Sequence, residues 1–103
     1  MIRGTTPTLL FNLPFSASII KSAEITIKYK KGTEKILIIK NLEDCNLGET
    51  SISTILTQEE TLQFPAKAIA YVQLRILTTD DRALATDIYT VTVKKLLSGD
   101  VIQ

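Results

Sequence analysis

The sequence predicts an all-β fold: a small two-sheet antiparallel sandwich, immunoglobulin-like in architecture, with about six to seven strands. Two observations carry that prediction. Apolar and polar residues alternate at period two along most of the 103 residues, most clearly in Ala23-Glu24-Ile25-Thr26-Ile27-Lys28-Tyr29-Lys30 and Tyr71-Val72-Gln73-Leu74-Arg75-Ile76. That pattern sends one set of side chains to a buried sheet face and the other to water. Turn chemistry breaks the alternation at short intervals, and several short strands in a chain of this length pair into two packed sheets. The Cys-Trp-Cys framework of immunoglobulin domains is missing, so the relation is one of architecture.

The elements follow in order. Leu9, Phe11 and Leu13 mark a first strand, with Pro7 at its entry and Pro14 at its close, where a missing N–H does least harm. Ser16-Ala17-Ser18 reads as a connection. A second strand runs from about Ala23 to Lys30, turns at Lys31-Gly32-Thr33 and returns from Glu34 to Lys40 as a hairpin. Ile36-Leu37-Ile38-Ile39 is apolar on both faces, which fits either a strand covered on two sides or an edge that meets a partner chain. Asn41 to Glu49 is rich in turn formers and forms a loop or short strand. Ser51 to Leu56 resumes strand character, and Thr57-Gln58-Glu59-Glu60 matches a capping box that starts a single helical turn before Pro65. A strand from about Ile69 to Thr78, a turn at Thr79-Asp80-Asp81-Arg82 and a last long strand from about Leu84 to Lys94 complete the domain. A slip of phase near Thr86-Asp87 predicts a bulge in that last strand.

Residues 1–103 form one domain, long enough for a single core and too short for two. Twelve basic and eleven acidic residues leave a formal charge of +1, which gives no electrostatic reason to expect nucleic acid, an anionic membrane or a polyanionic substrate. Lys28, Lys30, Lys31, Lys35 and Lys40 read as a solvated face. The start, Met1 to Pro7, lacks the pattern of a signal peptide, and the longest apolar run, Ile36 to Ile39, spans four residues, far short of a membrane helix. Synthesis in the cytoplasm without a cleavable leader is the expectation.

Catalytic chemistry finds little support. The chain has no histidine, hence neither the commonest general base nor the commonest metal ligand. Cys45 is a lone thiol, expected as a small, partly buried residue; Asp44 beside it opposes formation of a thiolate. Glu59-Glu60 and Asp80-Asp81 are sequential pairs, which point apart rather than converge, and read as helix-start and turn residues. No serine lies in a nucleophile elbow and the four glycines are scattered. No cofactor and no metal is expected. Tyr29, Tyr71 and Tyr89 are expected to pack in or around the core, with a shared sugar-binding platform as the alternative.

Several segments, in order, resemble a group of small uncharacterised proteins encoded by phages and prophages of Gram-positive, often intestinal, bacteria. They are Arg3-Gly4-Thr5-Thr6-Pro7-Thr8, Leu13-Pro14-Phe15, Leu56-Thr57-Gln58-Glu59-Glu60-Thr61-Leu62-Gln63-Phe64, Val72-Gln73-Leu74-Arg75-Ile76-Leu77-Thr78, Ala83-Leu84-Ala85 and a Leu-x-x-Gly-x-Val-Ile ending from Leu96 to Ile102. The turn departs from the group, which tends to carry Asp-Gly where this chain has Asp80-Asp81-Arg82. The resemblance implies a gene among those for virion structure or assembly; by analogy of fold it implies a tail, baseplate or capsid-associated β-sandwich.

The expected role is therefore non-enzymatic: a repeated virion component that contacts other virion proteins or copies of itself, as a homo-oligomer or bound to a lattice, with neither nucleic acid nor membrane as partner. The candidate interface is the strand Ile36, Leu37, Ile38 and Ile39 with the apolar tail 96–103, specifically Leu96, Leu97, Val101 and Ile102. The competing expectations are a carbohydrate- or host-binding module and a monomeric intracellular accessory protein.

Overall fold

Strict alternation organises the structure, a computed structural model that describes residues 1–97 and 102. The longest strand, β2 (Ile20–Lys31), buries Ala23, Ile25, Ile27 and Tyr29 and turns Lys28 and Lys30 to solvent. It lies between β3 (Glu34–Asn41) and β6 (Ile69–Thr78), both antiparallel to it. On β6 the same period buries Ala70, Val72, Leu74 and Ile76. Two short strands, β7 (Ala83–Ala85) and β8 (Tyr89–Thr92), pair with opposite ends of β6 and complete a five-stranded sheet.

A three-stranded sheet covers its inner face, in the order β1 (Thr8–Asn12), β5 (Ser51–Ile55), β4 (Asn46–Leu47). The core between the layers is closed by Ile52, Leu56, Phe64 and Val93, each 0% exposed. Full burial of each such side chain contributes about 1.5–3 kcal/mol relative to exposure. The ring of Phe64 meets that of Tyr29 edge-on, with centroids 6.4 Å apart.

The fold is thus the expected two-sheet antiparallel sandwich, with eight strands where six to seven were predicted. One extra strand arises by division of the predicted last strand into β7 and β8. The inner phase passes from Leu84 to Tyr89 and Val91 across residues 86–88, where the chain leaves β6, so the phase slip is a break rather than a bulge. Thr86 bridges the gap: its N–H donates to the Leu74 carbonyl at 2.9 Å and its hydroxyl accepts the Leu74 N–H at 3.1 Å. The bulge in this sheet lies in β2 instead, where the register with β6 shifts between Ile20 and Ser22. Ser16-Ala17-Ser18 leads into a single 3-10 turn (Ala17–Ile19), and β2 starts three residues earlier than predicted. The Asn41–Glu49 stretch holds another such turn (Leu42–Asp44) and β4.

The helical turn α1 (Gln58–Leu62) forms where the capping box predicts it. The Thr57 hydroxyl accepts the Glu60 N–H at 3.1 Å, and the Glu60 carboxylate accepts the Thr57 N–H at 2.8 Å. At its other end the Arg3 guanidinium donates to the carbonyls of Leu62 (3.0 Å) and Phe64 (2.5 Å), groups with no helical partner. The buried Thr61 hydroxyl lies 2.9 Å from the Thr5 carbonyl and donates to it. These bonds tie residues 3–5 to α1 and so aim β1, which pairs within its own domain through β5.

Candidate docking surfaces

The sandwich is closed along β2 and open along one flank. There the inward side chains of β1, Leu9 and Phe11, followed by Leu13 and Phe15, face Val72, Leu74 and Ile76 of β6 across an apolar groove of about 670 Å³. Leu84 and Tyr89 stand opposite Ile76 and Val72 on the inner side of the large sheet, yet they are 42% and 52% exposed. The small sheet ends at β1 and does not reach over them. A Phe11–Tyr89 contact, with centroids 6.1 Å apart, spans the gap. The described lining carries no carboxylate, amine or thiol. Such a groove accepts apolar matter and does no acid–base chemistry. Sequence reasoning missed it because it is made by two sheet edges that meet in space; Leu84 and Tyr89 follow the buried phase of their strands, and nothing local marks their cover as missing.

The second surface is the one the sequence singles out. β3 lies at the margin of the large sheet. Of the candidate residues, Ile38 is 7% exposed and belongs to the core, a correction to its role as interface, and Ile36 is half-buried on the same face. Leu37 and Ile39 stand on the outer face, 49% and 45% exposed, opposite Lys28 and Thr26 of β2. The strand is therefore an edge of the described sheet with an apolar outer face, as the second of the two expectations requires of its position. Lys40 departs from the solvated face assigned to it. Its ammonium pairs with the Glu60 carboxylate at 2.8 Å, and the two side chains are 15% and 20% exposed. Burial works to raise the Glu60 pKa, but it is outweighed by the hydrogen bond and charge of Lys40 and by the Thr57 N–H, and the carboxyl is held below its ordinary value.

The tail candidates divide. Leu96 is half-buried and rests against Gly4, whose φ of +73° and lack of a side chain are both required: a Cβ there would stand 2.6 Å from Leu96 Cδ2. Leu97 is 97% exposed and Ile102 is 79% exposed. The Gln58 amide holds the Ile102 backbone on both sides, accepting its N–H at 2.7 Å and donating to its carbonyl at 3.0 Å. Val101 lies outside the described residues.

The remaining candidates are placed as solitary groups. Cys45 is partly buried; burial, then the Asp44 charge, push its thiol pKa up, away from nucleophilic use. Asp80 accepts from the Thr78 hydroxyl, and Asp81 pairs with Lys21 at 3.2 Å. The three tyrosines share no face: Tyr29 is core, and Tyr71 and Tyr89 project from opposite sides of the large sheet. Among the described residues no three Cys, Asp or Glu side chains converge on a metal-sized site, and no helix is long and apolar enough to cross a membrane. Comparison of the chain with protein-family models, with curated proteins and with solved structures gave no match.

Proposed function

We propose that this protein is a non-enzymatic structural component of a phage particle, repeated in the virion and acting through contacts with other virion proteins or with copies of itself. The observation that carries the reading is the location of exposed apolar side chains at sheet margins: Leu84 and Tyr89 over the open flank, Leu37 and Ile39 on the outer face of β3. Apolar groups so placed favour association with another protein surface. The phage setting rests on the resemblance of the segments Arg3–Thr8, Leu56–Phe64 and Val72–Thr78. With a net charge of +1, the partner surface is matched by shape and apolar area rather than by long-range attraction.

The test is the protein inventory of particles purified on a density gradient after induction of the host strain that carries the gene. The protein is expected to travel with the particles in many copies. Its recovery in the soluble lysate alone, with none in particles, would contradict the reading.

A further inference from the structure

Strand β1 borders the open groove with its backbone as well as its side chains. Two bonds fix its phase: the Leu56 N–H donates to the Pro7 carbonyl at 3.0 Å, and the Leu13 N–H to the Thr50 carbonyl at 2.8 Å. Hydrogen-bonded and open pairs alternate along an antiparallel ladder. Leu9 and Phe11 therefore spend their N–H and C=O groups on Thr54 and Ile52 of β5. Thr8, Leu10 and Asn12 aim theirs the other way, into the flank, where no described strand pairs with them.

The opposite wall lacks a strand at the same place. Leu84 and Tyr89 lie one strand beyond β6 on the inner side of the large sheet, and the small sheet stops short of them. One more strand beside β1 would cover both. Laid antiparallel, its residues opposite Thr8, Leu10 and Asn12 would take up the free backbone groups and face solvent. Those opposite Leu9 and Phe11 would point down onto Leu84 and Tyr89. The apolar wall and the backbone edge thus ask for one occupant in one phase. An alkyl chain would cover the wall and leave the edge unpaired.

A folded copy of this chain does not supply that strand, because the occupant needs inward side chains that are still free. A copy that offered β1 would bring Leu9 and Phe11, which pack against its own core, and would drive its β6 into the layer that β7 and β8 fill. For β3 the phase follows from the bond between the Thr86 N–H and the Leu74 carbonyl. Carried through β6 and β2, it sends the backbone groups of Ile36 and Ile38 to β2 and those of Lys35, Leu37 and Ile39 outward. A copy that offered β3, antiparallel, would therefore turn Ile36 and Ile38 to the groove, and these pack in its own core.

We propose that the open flank binds an extended arm of another protein, added to β1 as a strand with apolar residues at alternate positions. The inference rests on the function proposed above for the arm's belonging to a virion protein, and it adds the form of the contact.

The test uses the native protein and a synthetic seven-residue peptide, capped at both ends, with valine at its second, fourth and sixth positions, threonine between them and lysine at the ends. On titration the peptide should slow amide exchange at Thr8, Leu10 and Asn12, and leave that at Leu9 and Phe11 unchanged. N-methylation of the two threonine amides, which face β1, should weaken binding about tenfold or more, since two backbone hydrogen bonds are lost. N-methylation of the valine amides, which face away, should not. A peptide of the same composition with its three valines in succession should bind no better than the threonine-methylated one. Absence of binding at about 1 mM, the weak end of measurable affinity, would overturn the inference. So would a threonine-methylated peptide that binds as well as the parent, which would make the groove an apolar cleft without strand pairing. A native protein that light scattering shows to be a dimer, with its Thr8, Leu10 and Asn12 amides already protected, would assign the flank to a second copy and overturn it too. Each of these results leaves the particle inventory above to judge the wider function by itself.

Discussion

Strands β2 and β3 lie side by side, joined by a two-residue turn and paired over eight positions from Glu24–Asn41 to Lys31–Glu34. They obey different rules. β2, hydrogen-bonded on both margins, gives its inner positions to Ala23, Ile25, Ile27 and Tyr29 and its outer ones to Glu24, Thr26, Lys28 and Lys30. β3, with one margin free, is apolar on both faces, and its outer Leu37 and Ile39 are about half exposed. The open flank repeats the contrast. Val72 and Leu74 of β6 are buried, whereas Leu84 and Tyr89 on the strands beside it are not. Binary patterning is therefore complete along β2 and lapses along β3. Sheet margins are commonly protected by charged or polar side chains, and these two are not.

The contrast can be broken by substitution. Ile25→Ala empties a position that is 0% exposed and should cost about 3–4 kcal/mol in denaturant unfolding, the range of buried large-to-small changes. Leu37→Ala, measured at a concentration where the chain is monomeric, should cost less than about 0.5 kcal/mol, the range of surface substitutions. Equal losses would mean that Leu37 serves the fold, and that the outer face of β3 is not spare surface.

A smaller effect is expected between the two layers, where Lys40 of β3 meets Glu60 of α1. Glu60→Gln removes a largely buried ion pair while its amide oxygen still accepts the Thr57 N–H of the capping box, and should cost about 1 kcal/mol. The same pair sets a dependence on pH. The folded-state pKa of Glu60 is lowered, so its contribution is fully present above the ordinary carboxylate pKa of 4.5 and is lost as pH falls through the lower folded value. Acid titration of stability should therefore be shallower for Glu60→Gln than for the native chain below pH 4.5. Parallel curves would show that Lys40 contributes nothing specific to the folded state.

The smallest effect is a gain. Lys67 has a φ of +68°, a region costly for side-chain residues, while its N–H donates to the Val93 carbonyl at 2.8 Å. Lys67→Gly should stabilise by about 0.5 kcal/mol, the relief of left-handed strain less the added freedom of the unfolded chain. A loss in thermal unfolding would show that the Lys67 side chain supports the Ala68–Val93 junction.

The centre of the molecule was legible in residues. Alternation from Ala23 and from Tyr71 locates β2 and β6, Thr57 and Glu60 give the start of α1, and Gly32 marks the hairpin. What was hidden depended on elements that meet only in space. Lys40 reads as a surface lysine because its sequence neighbours do not reveal that α1 packs above it. The phase slip near Thr86-Asp87 was legible, but whether it was a bulge or a break was not, because that is a matter of pairing with β6. The groove is invisible in any segment, since each of its walls is an ordinary strand and the defect lies in their failure to cover one another. Ile36 to Ile39 did announce itself, and the structure sorts its four residues: one buried, one half-buried, two outward. Asp81, at a φ of +61°, occupies the kind of position where a glycine fits without strain.

The central claim is that β3 is a free margin: no described strand takes up its outward backbone groups, whereas β2 is hydrogen-bonded on both sides. Amide hydrogen exchange followed by NMR tests it most directly. The Leu37 and Ile39 amides should exchange fast, while the Ile25 and Ile27 amides of β2 remain slow. Leu37 and Ile39 amides as slow as those of β2 would contradict the account.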